Sequence, residues 1–237
     1  MPPTSTALAS GPPPPVAPRP STDLGPATPV APGPTTGGSG ASGPQAVAVA
    51  VLAGLVVGAL TSFAQGLPLG PFGGLANAVA PWLLVPFGIG ALARGWRWAL
   101  GAGVVACVAQ VAGYYVAADL RDIGVGAPWL LIWLACALPG GAVAAVAGRS
   151  WWRTGPLQAG LERGAGAAVL VAAWLAEAVV RYAVVLRYPG HAVVFAVTGL
   201  VALALLGWRG RQHARVALWL VPALVPACGV FAALPVR

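Results

Sequence analysis

Residues 164–186 read GAGAAVLVAAWLAEAVVRYAVVL, and this stretch decides what kind of fold the chain can have. A helix needs ~20 apolar residues to cross a hydrocarbon core of ~30 Å, and this run is long enough. Glu177 and Arg181 lie inside it. At α-helical spacing, side chains four apart stack on one face, so the two are expected to pair, with Trp174 one turn earlier on the same side. A charge left facing lipid costs at least ~2.5 kcal/mol near the bilayer centre. The charged face is therefore expected to point into a bundle of other helices.

The rest of the chain supplies those helices. It is 58% hydrophobic and only 8% charged, with a mean hydropathy of +0.82, against ~25% charged residues in a soluble domain. Apolar runs at about 45–64, 76–93, 98–118, 127–147, 164–186, 191–208 and 214–234 predict an all-α, polytopic transmembrane bundle of seven spans over residues 45–237. The second and sixth are the shortest. Residues 1–44 hold thirteen of the twenty-four prolines, and no aromatic residue precedes Phe63. Such a segment buries too little apolar area to offset its ordering entropy, and it is read as a disordered cytoplasmic tail. Pro12 to Pro15 with Arg19 would suit an SH3-like partner, whereas a low-complexity spacer is the simpler reading. No basic region followed by a cleavable apolar stretch occurs near Met1, so the first span is expected to act as the insertion signal.

The net charge of +8 comes from arginine alone, since the chain has no lysine. The arginines lie in short loops between apolar runs, a pattern of membrane topology rather than of nucleic-acid binding. With the N-terminus inside, Arg19, Arg94, Arg97, Arg149, Arg153, Arg163, Arg209, Arg211 and Arg215 are cytoplasmic, and Arg121, Arg187 and Arg237 are outside. That distribution predicts an N-in, C-out protein of the bacterial plasma membrane. Trp96, Trp98, Trp151, Trp152 and Trp208 then border the inner face, and Trp82, Trp129 and Tyr188 the outer.

The first span carries Ala46, Ala50, Gly54, Gly58 and Ser62 at every fourth position. Such a stripe lets a second helix approach to backbone contact, within the same bundle or on a partner membrane protein. Residues 66–74, GLPLGPFGG, carry no charge and read either as a short lid dipping into the interface or, more simply, as a connecting loop. They are no phosphate cradle, because no Gly-Lys-Ser/Thr follows. Pro81, Pro86, Pro139, Pro222 and Pro226 are expected to kink their helices, with Pro139-Gly140-Gly141 the strongest break.

At ~1.5 Å of rise per residue, Glu177 stands roughly 20 Å above the inner surface and Gln110 roughly 18 Å, with Tyr114 a turn higher. Thr198 reaches a similar level from the other side, and Asn77 lies higher still. The polar groups thus gather in the outer half. Two readings follow. In the first, Glu177, Arg181, Gln110, Tyr114, Asn77 and Thr198 line an outward pocket for a small polar or zwitterionic solute, with Trp133 or Trp174 as an apolar wall. In the second, they only join helices in a non-catalytic structural or interaction protein, whose stripe and tail engage partners. Catalysis finds no support. Ser62 lacks a nucleophile frame, and His191 and His213 sit at opposite ends. Cys107, Cys136 and Cys228 fit no ligand spacing, so neither a metal nor a cofactor is expected.

Gln65-Gly66-Leu67-Pro68, Ala76-Asn77 with Ala80-Pro81-Trp82, and Gly113-Tyr114-Tyr115 resemble a domain-of-unknown-function family of small actinobacterial multi-pass membrane proteins. The resemblance covers roughly residues 50–150, with Ala78 where the family commonly has serine. It implies a membrane bundle and no particular substrate. In plan alone, the stripe and the outward polar cluster are similar to the substrate-binding subunits of energy-coupling-factor vitamin transporters, which usually have six helices.

Overall fold

A computed structural model describes residues 41–124, 126–153 and 163–234. The expected tail over residues 1–44 falls outside the described residues as far as residue 40. The first helix, α1, spans Gly43–Ala64 and starts just before the expected run, where Gln45 Oε1 accepts the Ser42 N–H at 3.1 Å. A 3-10 segment, Gly70–Asn77, follows it. The next helices are α2 (Val79–Trp82), α3 (Leu84–Leu92), α4 (Trp96–Asp119), α5 (Ala127–Arg153) and α6 (Ala165–Ala176). α6 runs on as a π-helix, Glu177–Val185, and the chain closes with α7 (Pro189–Trp208) and α8 (His213–Ala233). Among the described residues there is no strand. Six helices are long and apolar enough to cross a membrane, or seven if the bent pair Gly70–Asn77 and Val79–Leu92 forms one span. The fold is the all-α transmembrane bundle expected from the apolar runs.

Small residues bring the helices together. The buried residues of α1 are Gly43 and the stripe Ala46, Ala50, Gly54, Gly58 and Ser62, which lies on α4 of the same chain. A Cβ on Gly54 would stand 2.5 Å from the Ala106 carbonyl oxygen, and one on Gly58 would collide with the Gln110 carbonyl. Only glycine permits this approach. The α4–α5 seam repeats the device, since a Cβ on Gly141 would stand 2.5 Å from the Gly103 carbonyl oxygen. α3 packs on both α4 and α5, α6 packs on α5, α7 and α8, and exposed apolar side chains such as Leu52, Leu60, Leu205, Leu218 and Val225 cover the outside.

Proline content placed the breaks only in part: the second run is interrupted at Ala78 and at Leu83, on either side of Pro81, whereas the strongest expected break is absent. α5 continues through Pro139 to Arg153, held by its glycine seam to α4, and α8 continues through Pro222 and Pro226. A proline removes one backbone donor, and helical neighbours in a bundle can hold the segment in place. The sharp discontinuity lies instead at Ala78, where the backbone is extended and the flanking segments meet at 55°. Residues 66–74 are accordingly not just a loop, since most of the 3-10 segment falls within them.

Charges close helix ends across the bundle. The last carbonyls of an α-helix lack intrahelical donors, and cations are favoured there. Arg121 donates to the Ser62 carbonyl in the last turn of α1, and Arg149 donates to Ala93, just past α3, at 2.7 Å. Arg209 donates to Trp152 in the last turn of α5 at 3.2 Å, and Arg163 to Gly210 after α7. Arg149 belongs to α5, and the other three stand just outside α-helices, so each carbonyl is met from a different segment of the chain.

Candidate functional site

The Ala78 break leaves the first N–H groups of Val79–Leu92 without partners in their own helix. Val79–Leu92 would rise only ~21 Å, short of a ~30 Å hydrocarbon core, so a helix that ended at the arginine-rich loop at one membrane surface would start inside that core. Glu177 meets it from the other side of the bundle. Its Oε1 accepts the Val79 N–H at 2.9 Å and its Oε2 the Ala80 N–H at 2.7 Å, and the residue is only 2% exposed. The carboxylate thus does for this helix start what an N-cap side chain does elsewhere, supplied from a distant segment.

The expected Glu177–Arg181 stack is replaced by this arrangement. The helix changes from α to π at Glu177, and π-type i→i+5 bonding widens the turn, so α-helical four-residue stacking no longer applies. Both carboxylate oxygens go to main chain. Arg181, half-buried, donates to the Leu234 carbonyl beyond α8 at 3.5 Å and acts on Glu177 as a nearby positive charge.

An aromatic layer supports the junction. Trp174 is 3% exposed and meets Phe195 with ring centroids 5.3 Å apart and planes tilted by 40°, and Phe195 meets Tyr182 at 4.6 Å. Tyr182 stacks on His191 with planes 12° apart, and its hydroxyl donates to the Gly74 carbonyl of the 3-10 segment at 3.2 Å. Gly74 sits so close that a Cβ there would stand 2.6 Å from the His191 ring. The Trp174 indole N–H, buried, meets no hydrogen-bond partner among the described residues.

Tyr114 and Asn77 meet through a residue that sequence reasoning used only for the family resemblance. The Tyr114 hydroxyl donates to Gln65 Oε1 at 2.8 Å, and Gln65 Nε2 donates to the Ala76 carbonyl and to Asn77 Oδ1, both at 3.1 Å. This relay ties α4, the end of α1 and the 3-10 segment together. The other candidates lie apart from it. Thr198 donates to the Val194 carbonyl one turn back in its own helix at 2.8 Å. Trp133 packs with Cys107, Val111 and Ala137. Gln110 is fully buried on α4, and neither its Oε1 nor its Nε2 meets a partner among the described residues. A pocket of about 280 Å³ opens between α1 and the 3-10 segment, lined by Val57, Leu60, Thr61, Ala64, Leu69, Phe72, Leu75 and Ala76. It touches none of the eight candidate residues.

Sequence reasoning therefore found the carboxylate and missed its partners. Backbone donors carry no residue signature, but Pro81 does. Proline is well tolerated in the first turn of a helix, where its missing N–H is not needed, and Pro81 is the third residue of Val79–Trp82. Taken as a helix start instead of a kink, it marks the break.

No curated protein and no solved structure matches the chain. A family model described as a family of unknown function, DUF6518, matches residues 38–236. With nearly the whole helical bundle inside that match, the chain belongs to this family of unknown function.

Proposed function

We propose that the chain is a non-enzymatic membrane protein that binds or transports a small zwitterionic solute, with the junction between Glu177 and the Val79 helix start as its working centre. The observation that carries this reading is the Glu177 carboxylate seated on the Val79 and Ala80 N–H groups at membrane depth. A bundle that needed only rigidity would be served by a continuous second span and an apolar residue at 177, because a buried charge is costly to retain. A half-helix N-terminus inside the membrane is suited to a solute carboxylate. In this reading, Glu177 holds the place of that carboxylate. When the solute takes the two N–H groups, the released Glu177 pairs with its ammonium group. The 3-10 segment, with the open pocket on one side and Tyr182 on the other, is the element that would move. Arginine distribution supports placement in a bacterial plasma membrane with the N-terminus inside. A reporter fused after Arg237 is then expected to read outside and one beside Trp152 inside, and the inverse pattern would reject that orientation.

The test of binding is a thermal-shift screen of amino acids and betaines on detergent-purified protein, run on the wild type and on Glu177→Gln. Binding requires that some compound stabilise the wild type and leave a folded, monodisperse Glu177→Gln unshifted. A wild type indifferent to the whole panel, or a variant that keeps the shift, ends the reading.

A second, architectural reading is favoured by the internal hydrogen bonds of Tyr114, Gln65, Asn77 and Thr198. In it, Glu177 only joins helices and the chain acts through partners. The α1 stripe is covered by α4, so a partner would meet another face of α1, such as that of Leu52, Val56 and Leu60, or the tail.

A further inference from the structure

We propose that Arg149 and Arg153, at the end of α5, bind the phosphodiester of an anionic phospholipid headgroup. Both guanidinium groups converge on one acceptor, the Ala93 carbonyl, at 2.7 and 3.5 Å. Two like charges are thereby held together on a single neutral oxygen. Each guanidinium has five N–H donors in a planar fork, so most remain available, and that fork matches phosphate oxygens in pairs. Arg153 is exposed and Arg149 half-buried, so both can be reached.

The surroundings point to an anion and place it at headgroup level. Through the contacts of Ala93, Trp152 and Gly210, this end of the bundle gathers eight arginines, from Arg94 to Arg215. The acids among the described residues, Asp119, Asp122 and Glu177, all lie elsewhere, and Glu162 is outside the described residues. Trp96, Trp98 and Trp152 are 59%, 49% and 39% exposed, and Arg97 lies over the Trp96 ring at 5.4 Å. Exposed indoles mark the interfacial belt of a membrane protein, where lipid phosphate is the abundant anion.

The experiment measures the melting temperature of the full chain in detergent with phosphatidylglycerol, phosphatidylcholine or inorganic phosphate added. Phosphatidylglycerol at a hundredfold excess over its Kd should raise it by roughly 5 °C or more, with little effect from the other two. Arg153→Gln should lose about half of that rise and Arg149→Gln/Arg153→Gln nearly all of it. Arg187→Gln, which removes the same charge at the opposite end, should keep it. Arg149 also closes the end of α3, so if the double variant fails to fold, Arg153→Gln alone decides. An equal rise with phosphatidylcholine, a full rise with inorganic phosphate alone, or a full rise retained in Arg153→Gln would each overturn the proposal. These readouts involve neither Glu177 nor a zwitterion, so they stand or fall apart from the solute reading.

Discussion

Two seams hold this bundle together by opposite means. Between α1 and α4 the side chains are nearly absent, and backbone packs on backbone along Gly54 and Gly58. Between the Val79 helix start and the π-helix, one charged side chain reaches across and satisfies two main-chain donors. The first seam owes its strength to close van der Waals packing over many atoms, each contributing little. The second concentrates it in two hydrogen bonds to a single carboxyl group, each worth ~0.5–1.5 kcal/mol and more where the group is ionised. A seam of the first kind has one arrangement, because any sliding drives atoms into one another. One of the second kind can be released by replacing a single acceptor.

That difference sets the largest expected effect. Gly58→Val places a branched side chain into the Gln110 carbonyl and the Tyr114 N–H, both main chain and unable to yield without moving α4. Overpacking a core typically costs ~1–3 kcal/mol and more where backbone must shift. The variant is expected at or beyond the upper end, seen as loss of monodisperse protein or a large fall in melting temperature. Gly88→Ala and Gly101→Ala, whose added Cβ meets nothing within 4 Å, are expected to be neutral or slightly stabilising. If Gly58→Val melts like the wild type, α1 is not seated on α4 as described.

The charged seam should yield less and in a more specific way. Glu177→Gln keeps one carbonyl oxygen for one of the two N–H groups and leaves the other buried without an acceptor, an expected cost of ~1–3 kcal/mol. A double-mutant cycle then separates the observed geometry from the simple ion pair. Were Arg181 the partner of Glu177, removing both would recover much of the loss. With Arg181 donating to Leu234 and reaching Glu177 only as a nearby charge, the coupling between Glu177→Gln and Arg181→Gln should stay at ~0.5 kcal/mol, the low end for neighbouring groups. A coupling of several times that size would restore the ion pair.

The same contrast explains what could be read before any coordinates. The seven runs, the stripe of α1 and the intramembrane position of Glu177 were legible, because each depends on residue type at a fixed period. The partners of Glu177 were not, because a main-chain N–H looks the same at every position. The π-helix was equally hidden. Glu177 to Val185 has an ordinary apolar composition, and the assumption of α-helical spacing put Arg181 where Glu177 would meet it. Proline misled in both directions. Pro139 lies in a continuous helix, whereas Pro81 stands three residues beyond the real break. Depth estimates placed Gln110, Tyr114, Glu177 and Thr198 at comparable levels, but level says nothing of direction around the helix. Their side chains face four different environments.

Gln110 gives the smallest effect and sharpens the comparison from inside the first seam. It is a polar residue among small apolar ones, fully buried, with neither amide atom paired. A buried amide without partners destabilises the folded state by ~1–3 kcal/mol relative to a paired one, so an apolar residue of similar size should remove that cost. Leucine or methionine there conserves most of the volume, and such swaps in a core usually cost less than ~1.5 kcal/mol in packing. The two terms nearly cancel, with a net gain of up to about 1 kcal/mol expected for Gln110→Met, read as a small rise in melting temperature. A fall of several degrees would show that the amide is satisfied in the working protein, by an ordered water or a bound solute. In that event Gln110 belongs with Glu177 in the working centre, and the α1–α4 seam is not purely steric. The absence of such a fall leaves Glu177 as the only charged side chain that joins the helices at membrane depth through main-chain N–H groups among the described residues, and it is there that the solute reading must be tested.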